Sequence, residues 1–287
     1  MKIGIIGGGA AGFFAAIHAK MNHPESEVIL LEKSQKLLSK VKISGGGRCN
    51  VTNGCSSITE LSKAYPRGEK KLKQAFSEFN TKHTMEWFES RGIALTIQDD
   101  NCVFPVSQDS QTIIDCFLDE CKNLGIQIEI GRVVQELVPE NDKITLKFRG
   151  NELEYQFDKV IVATGGSPKI EGLKWLQELG HKIEKPVPSL FTFNMPKHPI
   201  TALMGAVAAN AKVRIEGQKL ESTGALLITH WGMSGPAVLK LSSFGARKLA
   251  EKNYQSFFAI DNPRHDLQNS LNNMVIPFEV PESNRLQ

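Results

Sequence analysis

The chain has 287 residues, 41% of them apolar, which is enough for one large domain and a smaller one. Its 34 basic and 31 acidic side chains leave a net charge of +3, too even a balance for a protein that lives on nucleic acid or a membrane surface. Five cysteines without C-x-x-C spacing, and no H-E-x-x-H pair, argue against a disulfide framework and a zinc centre; a reducing, cytoplasmic compartment and no metal site are expected.

In chain order, "KIGIIG" reads as a buried strand, "AAGFFAAIHAK" as a helix with Pro24 just beyond it, and "EVILLE" as a second buried strand. Strand, helix and strand in that order make a βαβ unit with parallel strands. A strand, tight turn and helix also explain the glycines between Ile3 and Ile17 better than a leader peptide does, and no stretch reaches the length of a membrane span. Residues 35–54, rich in Gly, Ser, Lys and Asn, read as a long loop. Residues 69–91 read as one helix, with Leu72, Phe76, Phe79 and His83 on a stripe. A further helix is predicted over 109–124, with Asp109 as N-cap and Gly125 as terminator. Residues 126–163 then switch to strand periodicity and read as a β-meander that feeds a last apolar strand ending at "ATGG". Pro186 and Pro188 mark an expected boundary, giving domains over 1–188 and 189–262. The second is β-rich, with one helix opened by Pro236. Residues 263–287 read as a weakly patterned tail.

Gly7-x-Gly9-x-x-Gly12 lies between the first strand and the helix, the context that a dinucleotide motif requires. Gly7 allows the turn, Gly9 lets backbone approach a pyrophosphate, and Gly12 lets helix and strand pack closely. Ala10 and Ala11 then carry amides that face an anion, helped by the helix dipole. Glu32, with Lys33 beside it, ends the second strand, where an acid accepts hydrogen bonds from the adenosine ribose hydroxyls and repels a 2′-phosphate. Ser44, Gly45, Gly46, Gly47, Arg48, Cys49 and Asn50 open the segment "SGGGRCNVTN"; three glycines expose amides as an anion nest, and Arg48 offers a forked contact to phosphate. Cys49 reads as a packed residue rather than a reactive thiol, and Ser234 as a helix N-cap rather than a catalytic group.

The β-meander, followed by the return strand to Ala163, Thr164, Gly165 and Gly166, resembles the two-part FAD domain of glutathione-reductase-like flavoproteins. That layout separates FAD from NAD as the bound dinucleotide. The fold class expected is therefore α/β, a Rossmann-type FAD-binding domain with a β-meander plus an inserted, smaller β-rich domain. More specifically, the chain resembles the BaiN/RdsA-type NAD(P)/FAD-dependent oxidoreductases, or aminoacetone-oxidase-like flavoproteins. The stretches that carry the resemblance are "IGIIGGGAAG", "SGGGRCNVTN", "VFPVS", "ATGG", "PVPSLFTF" and "THWGMSGPAVLKLS", in that order. The resemblance implies an FAD cofactor, NAD(P)H as electron donor, a small-molecule substrate and a backbone contact from Val134 to adenine. It leaves the catalytic residues and the oligomeric state open. Residues 263–287 match nothing in the glycine-rich segment with which such proteins usually return to the flavin, so an exposed flavin and reduced competence are expected. The alternatives are a truncated, non-catalytic FAD-binding protein and a flavin-dependent RNA-modifying enzyme; the even charge balance speaks against the latter.

Overall fold

A computed structural model describes residues 1–150, 153–167, 169–261 and 274–280. The chain divides into two compact units, Met1–Gly166 and Ser167–Gln287.

The first unit begins with β1 (Lys2–Ile6), α1 (Ala10–Asn22) and β2 (Glu27–Leu31). It continues through α2 (Ser39–Ile43), β3 (Thr52–Asn53), α3 (Ile58–Lys63), α4 (Glu69–Glu78), α5 (Thr81–Glu89), β4 (Leu95–Ile97), β5 (Cys102–Pro105) and α6 (Ser110–Asn123). It closes with β6 (Gln127–Glu129), β7 (Val134–Glu140), β8 (Lys143–Phe148), β9 (Glu154–Phe157) and β10 (Lys159–Val162). The main sheet runs β10-β1-β2-β6, and every pairing in it is parallel. Ile3, Ile5, Val28 and Leu30 are almost completely buried, as central strands covered on both faces must be. Phe13, Ala16 and Ile17 of α1 and Ile113, Phe117 and Cys121 of α6 join them in one core.

Four expectations change here. Residues 35–54 are not one loop: they hold α2, a left-handed glycine turn and β3. Residues 69–91 are two helices, because Asn80 starts a new one. Its side chain accepts from the Lys82 N–H at 2.9 Å, and His83 Nδ1 accepts from the Asn80 N–H at 3.2 Å, a reciprocal cap that outcompetes continuation of α4. Residues 127–129 pair with β2 in the parallel sheet, so the meander proper is the three-stranded β7-β8-β9. The compact unit ends at Gly166, ahead of Pro186 and Pro188, since the parallel sheet is complete once β10 lies beside β1.

The second unit contains α7 (Lys174–Glu178), β11 (Phe193–Asn194), β12 (Val207–Ile215), β13 (Glu221–Thr229), β14 (Gly232–Ser234), α8 (Pro236–Glu251), β15 (Gln255–Asp261) and β16 (Met274–Glu279). Its six strands close into a barrel in the order β11-β14-β13-β12-β15-β16. Phe193, Val213, Ile228 and Met233 fill the interior with Leu241 of α8. Within the expected tail, β16 is a barrel strand paired with β15, while 263–273 and 281–287 lie outside the described residues. Closing a six-stranded barrel demands that last partner, a long-range need that local patterning does not reveal. Ser234 belongs to β14, and Gly235 is the N-cap of α8, without a side-chain cap bond.

Candidate functional site

The site lies at the carboxyl end of the parallel sheet of the first unit, where β1 turns into α1. Gly7 has φ +116°, open only to glycine, and a Cβ there would overlap the Ala163 carbonyl at the end of β10. A Cβ on Gly12 would overlap the Gly7 carbonyl. These two glycines are therefore required by the fold itself. Gly9 differs: its φ of −93° suits any residue, and a Cβ built there meets nothing within 4 Å. Gly9, Ala10 and Ala11 are exposed, and the first-turn amides of α1 have no intrahelical carbonyl to bond. Neighbouring protein atoms do not crowd Gly9, which serves as the N-cap of α1 and leaves the backbone there open. This open cradle is what a dinucleotide pyrophosphate fits.

Glu32 follows β2 and meets the same turn. Its Oε2 accepts the Gly8 N–H at 2.7 Å, and its Oε1 accepts the Ser34 N–H at 2.8 Å. Burial pushes the Glu32 carboxyl up, but the two amides and the nearby Lys33 outweigh it and hold the group below the ordinary glutamate value. Each carboxylate oxygen has a further lone pair for a hydroxyl donor. Sequence reasoning assigned Glu32 to the ribose; its clamp on the glycine turn depends on a contact between residues 24 apart in sequence. The Arg132 N–H bonds the Glu32 carbonyl at 2.8 Å, so Val134 follows closely on the strand end that bears Glu32. Val134 pairs with Phe148 across β7 and β8.

The triple-glycine segment is a left-handed turn, with φ of +57° at Gly45, +70° at Gly46 and +89° at Gly47. The turn closes where the Cys49 N–H bonds the Ser44 carbonyl at 3.0 Å, and Ser44 Oγ donates to the Val41 carbonyl at 2.9 Å. Arg48 does not stand free to fork onto a phosphate. Its guanidinium lies 4.1 Å over the Phe104 ring, its Nε donates to the Gly45 carbonyl at 3.1 Å, and its Nη1 donates to Gln108. It braces the turn against β5. Phe104 and Gln108 were missed as partners, although Phe104 sits in the "VFPVS" stretch that carries the family resemblance. Cys49 is buried, and burial pushes its thiol up while a bond with Ser44 pulls the other way. It is a packed residue, not an activated thiol. Asn50 is exposed and donates weakly to Cys102 Sγ at 3.4 Å.

Ala163 completes β10 by donating to the Ile6 carbonyl at 2.8 Å, and Thr164, Gly165 and Gly166 are exposed just after it. The fold thus gathers Gly7–Gly12, Glu32 and Ala163 around one turn. In the second unit, His230 is exposed and its ring packs edge-on to Trp231. Among the described residues no helix is long and apolar enough to cross a membrane, and no group of three or more His, Cys, Asp or Glu is placed to hold a metal ion.

A family model described as the HI0933-like protein Rossmann domain matches residues 1–258. A 3-dehydro-bile acid delta(4,6)-reductase of Clostridium scindens is 29% identical over 262 residues, which cover 87% of this chain and 62% of that protein. A ribosomal RNA dihydrouridine synthase of Escherichia coli is 28% identical over 255 residues, covering 84% and 60% respectively. The chain therefore spans about three fifths of the length of these curated relatives. Among solved structures, the 3-ketosteroid-delta4-(5alpha)-dehydrogenase of Rhodococcus jostii RHA1 superposes with a TM-score of 0.52 at 13% identity, covering 89% of this chain and 65% of that one. The open conformation of a flavocytochrome c3 fumarate reductase gives 0.51 at 17% identity, covering 72% and 46%. Both likenesses are of fold.

Proposed function

Because the chain belongs to the HI0933-like family, we propose that it is an FAD-dependent oxidoreductase that takes electrons from NADH or NADPH and passes them to a small organic substrate. The observation that carries this reading is the split among the motif glycines: Gly7 and Gly12 are demanded by backbone packing, whereas Gly9 fronts open space. FAD is the cofactor. Its pyrophosphate belongs at Gly9, Ala10 and Ala11, its adenosine ribose at the free lone pairs of Glu32, and its flavin half toward Ser44–Asn50 and Thr164–Gly166. When bound, the isoalloxazine supplies the redox chemistry, and the protein supplies position and electrostatics. Glu32 does two things in this reading: it fixes the Gly8 amide, and with it the turn, and it keeps a negative charge where a 2′-phosphate would otherwise fit. All five cysteines are free, which supports a reducing, cytoplasmic setting.

An RNA substrate is the second reading, favoured by the name of the Escherichia coli relative. The even charge balance supports a small molecule instead. The test is an absorption spectrum of the purified protein followed by anaerobic addition of NADH or NADPH. Bound flavin that bleaches is expected; a protein that takes up no flavin overturns the proposal. Saturable, salt-sensitive binding of ribosomal RNA would move the substrate to the second reading.

A further inference from the structure

The second unit holds a cleft of about 520 Å³ that shares no residue with the proposed cofactor site. Its apolar lining comes from Met195, Pro196, Pro199, Pro277 and Phe278; Met195 and Phe278 are almost completely buried. Its polar lining falls into two groups. The first lies on the strands. Gln255 pairs with Glu279 across β15 and β16, and Glu279 pairs with Asn194 across β16 and β11, so the three side chains project from one face of the barrel wall. The neighbouring row, Phe193 with Met233, belongs to the core. Glu279 and Gln255 line the cleft, and Asn194 stands beside Glu279 in the row, its Oδ1 buried and without a hydrogen-bond partner among the described residues. The second group lies on the turn after β11. His198 Nδ1 accepts the Ile200 N–H at 3.2 Å, so Nε2 carries the proton as a donor, and the Lys197 ammonium precedes it.

We infer that this cleft binds a zwitterion with an apolar body, an amino acid or short peptide whose ammonium group meets the strand acceptors and whose carboxylate meets the turn donors. The volume lies in the range of about 300–1,000 Å³ typical of ligand sites, and an apolar lining with a few polar groups is their usual character. The division of the polar groups decides the class. Acceptors, the Glu279 carboxylate and Asn194 Oδ1, stand on the strands; donors, the Lys197 ammonium and His198 Nε2, stand on the turn. Among the described residues Lys197 and Glu279 have no ion-pair partner, although the same barrel pairs Lys212 with Glu221 at 2.8 Å. A purely anionic ligand would meet the Glu279 carboxylate and a purely cationic one the Lys197 ammonium, each a costly like-charge contact. A neutral apolar compound would strip water from both charges and return nothing. A molecule with one charge of each sign satisfies both groups, and its side chains cover Met195 and Phe278.

The test is isothermal titration of the full chain with L-leucine and L-leucyl-L-leucine, and with two blocked dipeptides, N-acetyl-leucyl-leucine and leucyl-leucine amide. Saturable binding of a free zwitterion is expected, and the tighter of leucine and leucyl-leucine gives the length that the cleft takes. Each blocked form is expected to bind about fivefold more weakly than free leucyl-leucine, the scale of one half-exposed ion pair. Glu279→Gln should weaken leucyl-leucine by a similar factor and leave the N-acetyl form unchanged; Lys197→Gln should do the same with the amide form. Both positions are exposed, so the variants are expected to keep the fold, which thermal unfolding checks. Gln255→Trp, at a third exposed position, fills the cleft from β15 and is expected to abolish binding. The inference is overturned if neither free compound binds saturably, if free and blocked forms bind alike, or if the folded variants bind as the wild type does.

Discussion

Gly9→Ala separates fold from function at a single atom. The added Cβ meets nothing within 4 Å, and φ −93° is allowed for alanine, so no strain enters the apo protein. Gly9 caps α1, and alanine is a poorer cap by up to about 1 kcal/mol. Loss of glycine's freedom in the unfolded chain returns about 0.4–1 kcal/mol. The two nearly cancel, so the midpoint of thermal unfolding without FAD is expected to move by less than about 4 °C. Binding is another matter. The methyl group occupies the space that brings a pyrophosphate onto the α1 amides, and hydrogen bonds to a charged group are worth about 1.5–3 kcal/mol each. Losing two of them costs about 3 kcal/mol or more, at least a hundredfold in affinity for FAD. Isothermal titration together with differential scanning calorimetry reads both numbers. Gly12→Ala is the control: its Cβ overlaps the Gly7 carbonyl, so it is expected to lose more than about 2 kcal/mol of stability. Wild-type FAD affinity in Gly9→Ala, or a large stability loss there, would show that the open cradle is not a pyrophosphate site.

Glu32→Gln is expected to destabilise the first unit by about 1 kcal/mol after allowance for solvent screening, because one of its two amide partners then faces an NH₂ group. The Glu32 carboxyl has a folded pKa below the ordinary value of 4.5, so the unfolded chain takes up the proton first. Its contribution is therefore full above about pH 4.5 and lost as pH falls through the lower folded value; urea unfolding across that window should show a flatter pH dependence in the variant. Burial, followed by the neighbouring Glu120, pushes the Cys116 thiol up to about 11 and the Cys121 thiol up to about 12. Peptide mapping after brief alkylation of the native protein near neutral pH should find both unmodified, and modification of either at the rate of a free thiol would contradict their packing. Arg48→Ala removes the stack on Phe104 and the bond to Gly45, a loss of about 1 kcal/mol that should also loosen the glycine turn. Limited proteolysis should then cut near Gly46, and unchanged protection would mean that the turn holds itself.

The sequence by itself determined the local frame. Alternation of β-branched runs, helix and glycines placed β1, α1, β2 and the dinucleotide motif, since strand and helix periodicity and glycine turns are short-range properties. It also placed Asp109 as the α6 cap, which accepts from the Gln111 N–H. It fused α4 and α5 because a stripe of Leu72, Phe76, Phe79 and His83 keeps helical spacing across the break; the reciprocal cap at Asn80 competes with that pattern only once the chain has turned. Tertiary structure alone decided the rest, because the deciding contacts join residues far apart in sequence. Gly8 and Glu32 share a hydrogen bond, Arg48 stacks on Phe104, and β16 completes the barrel from a stretch with little pattern of its own.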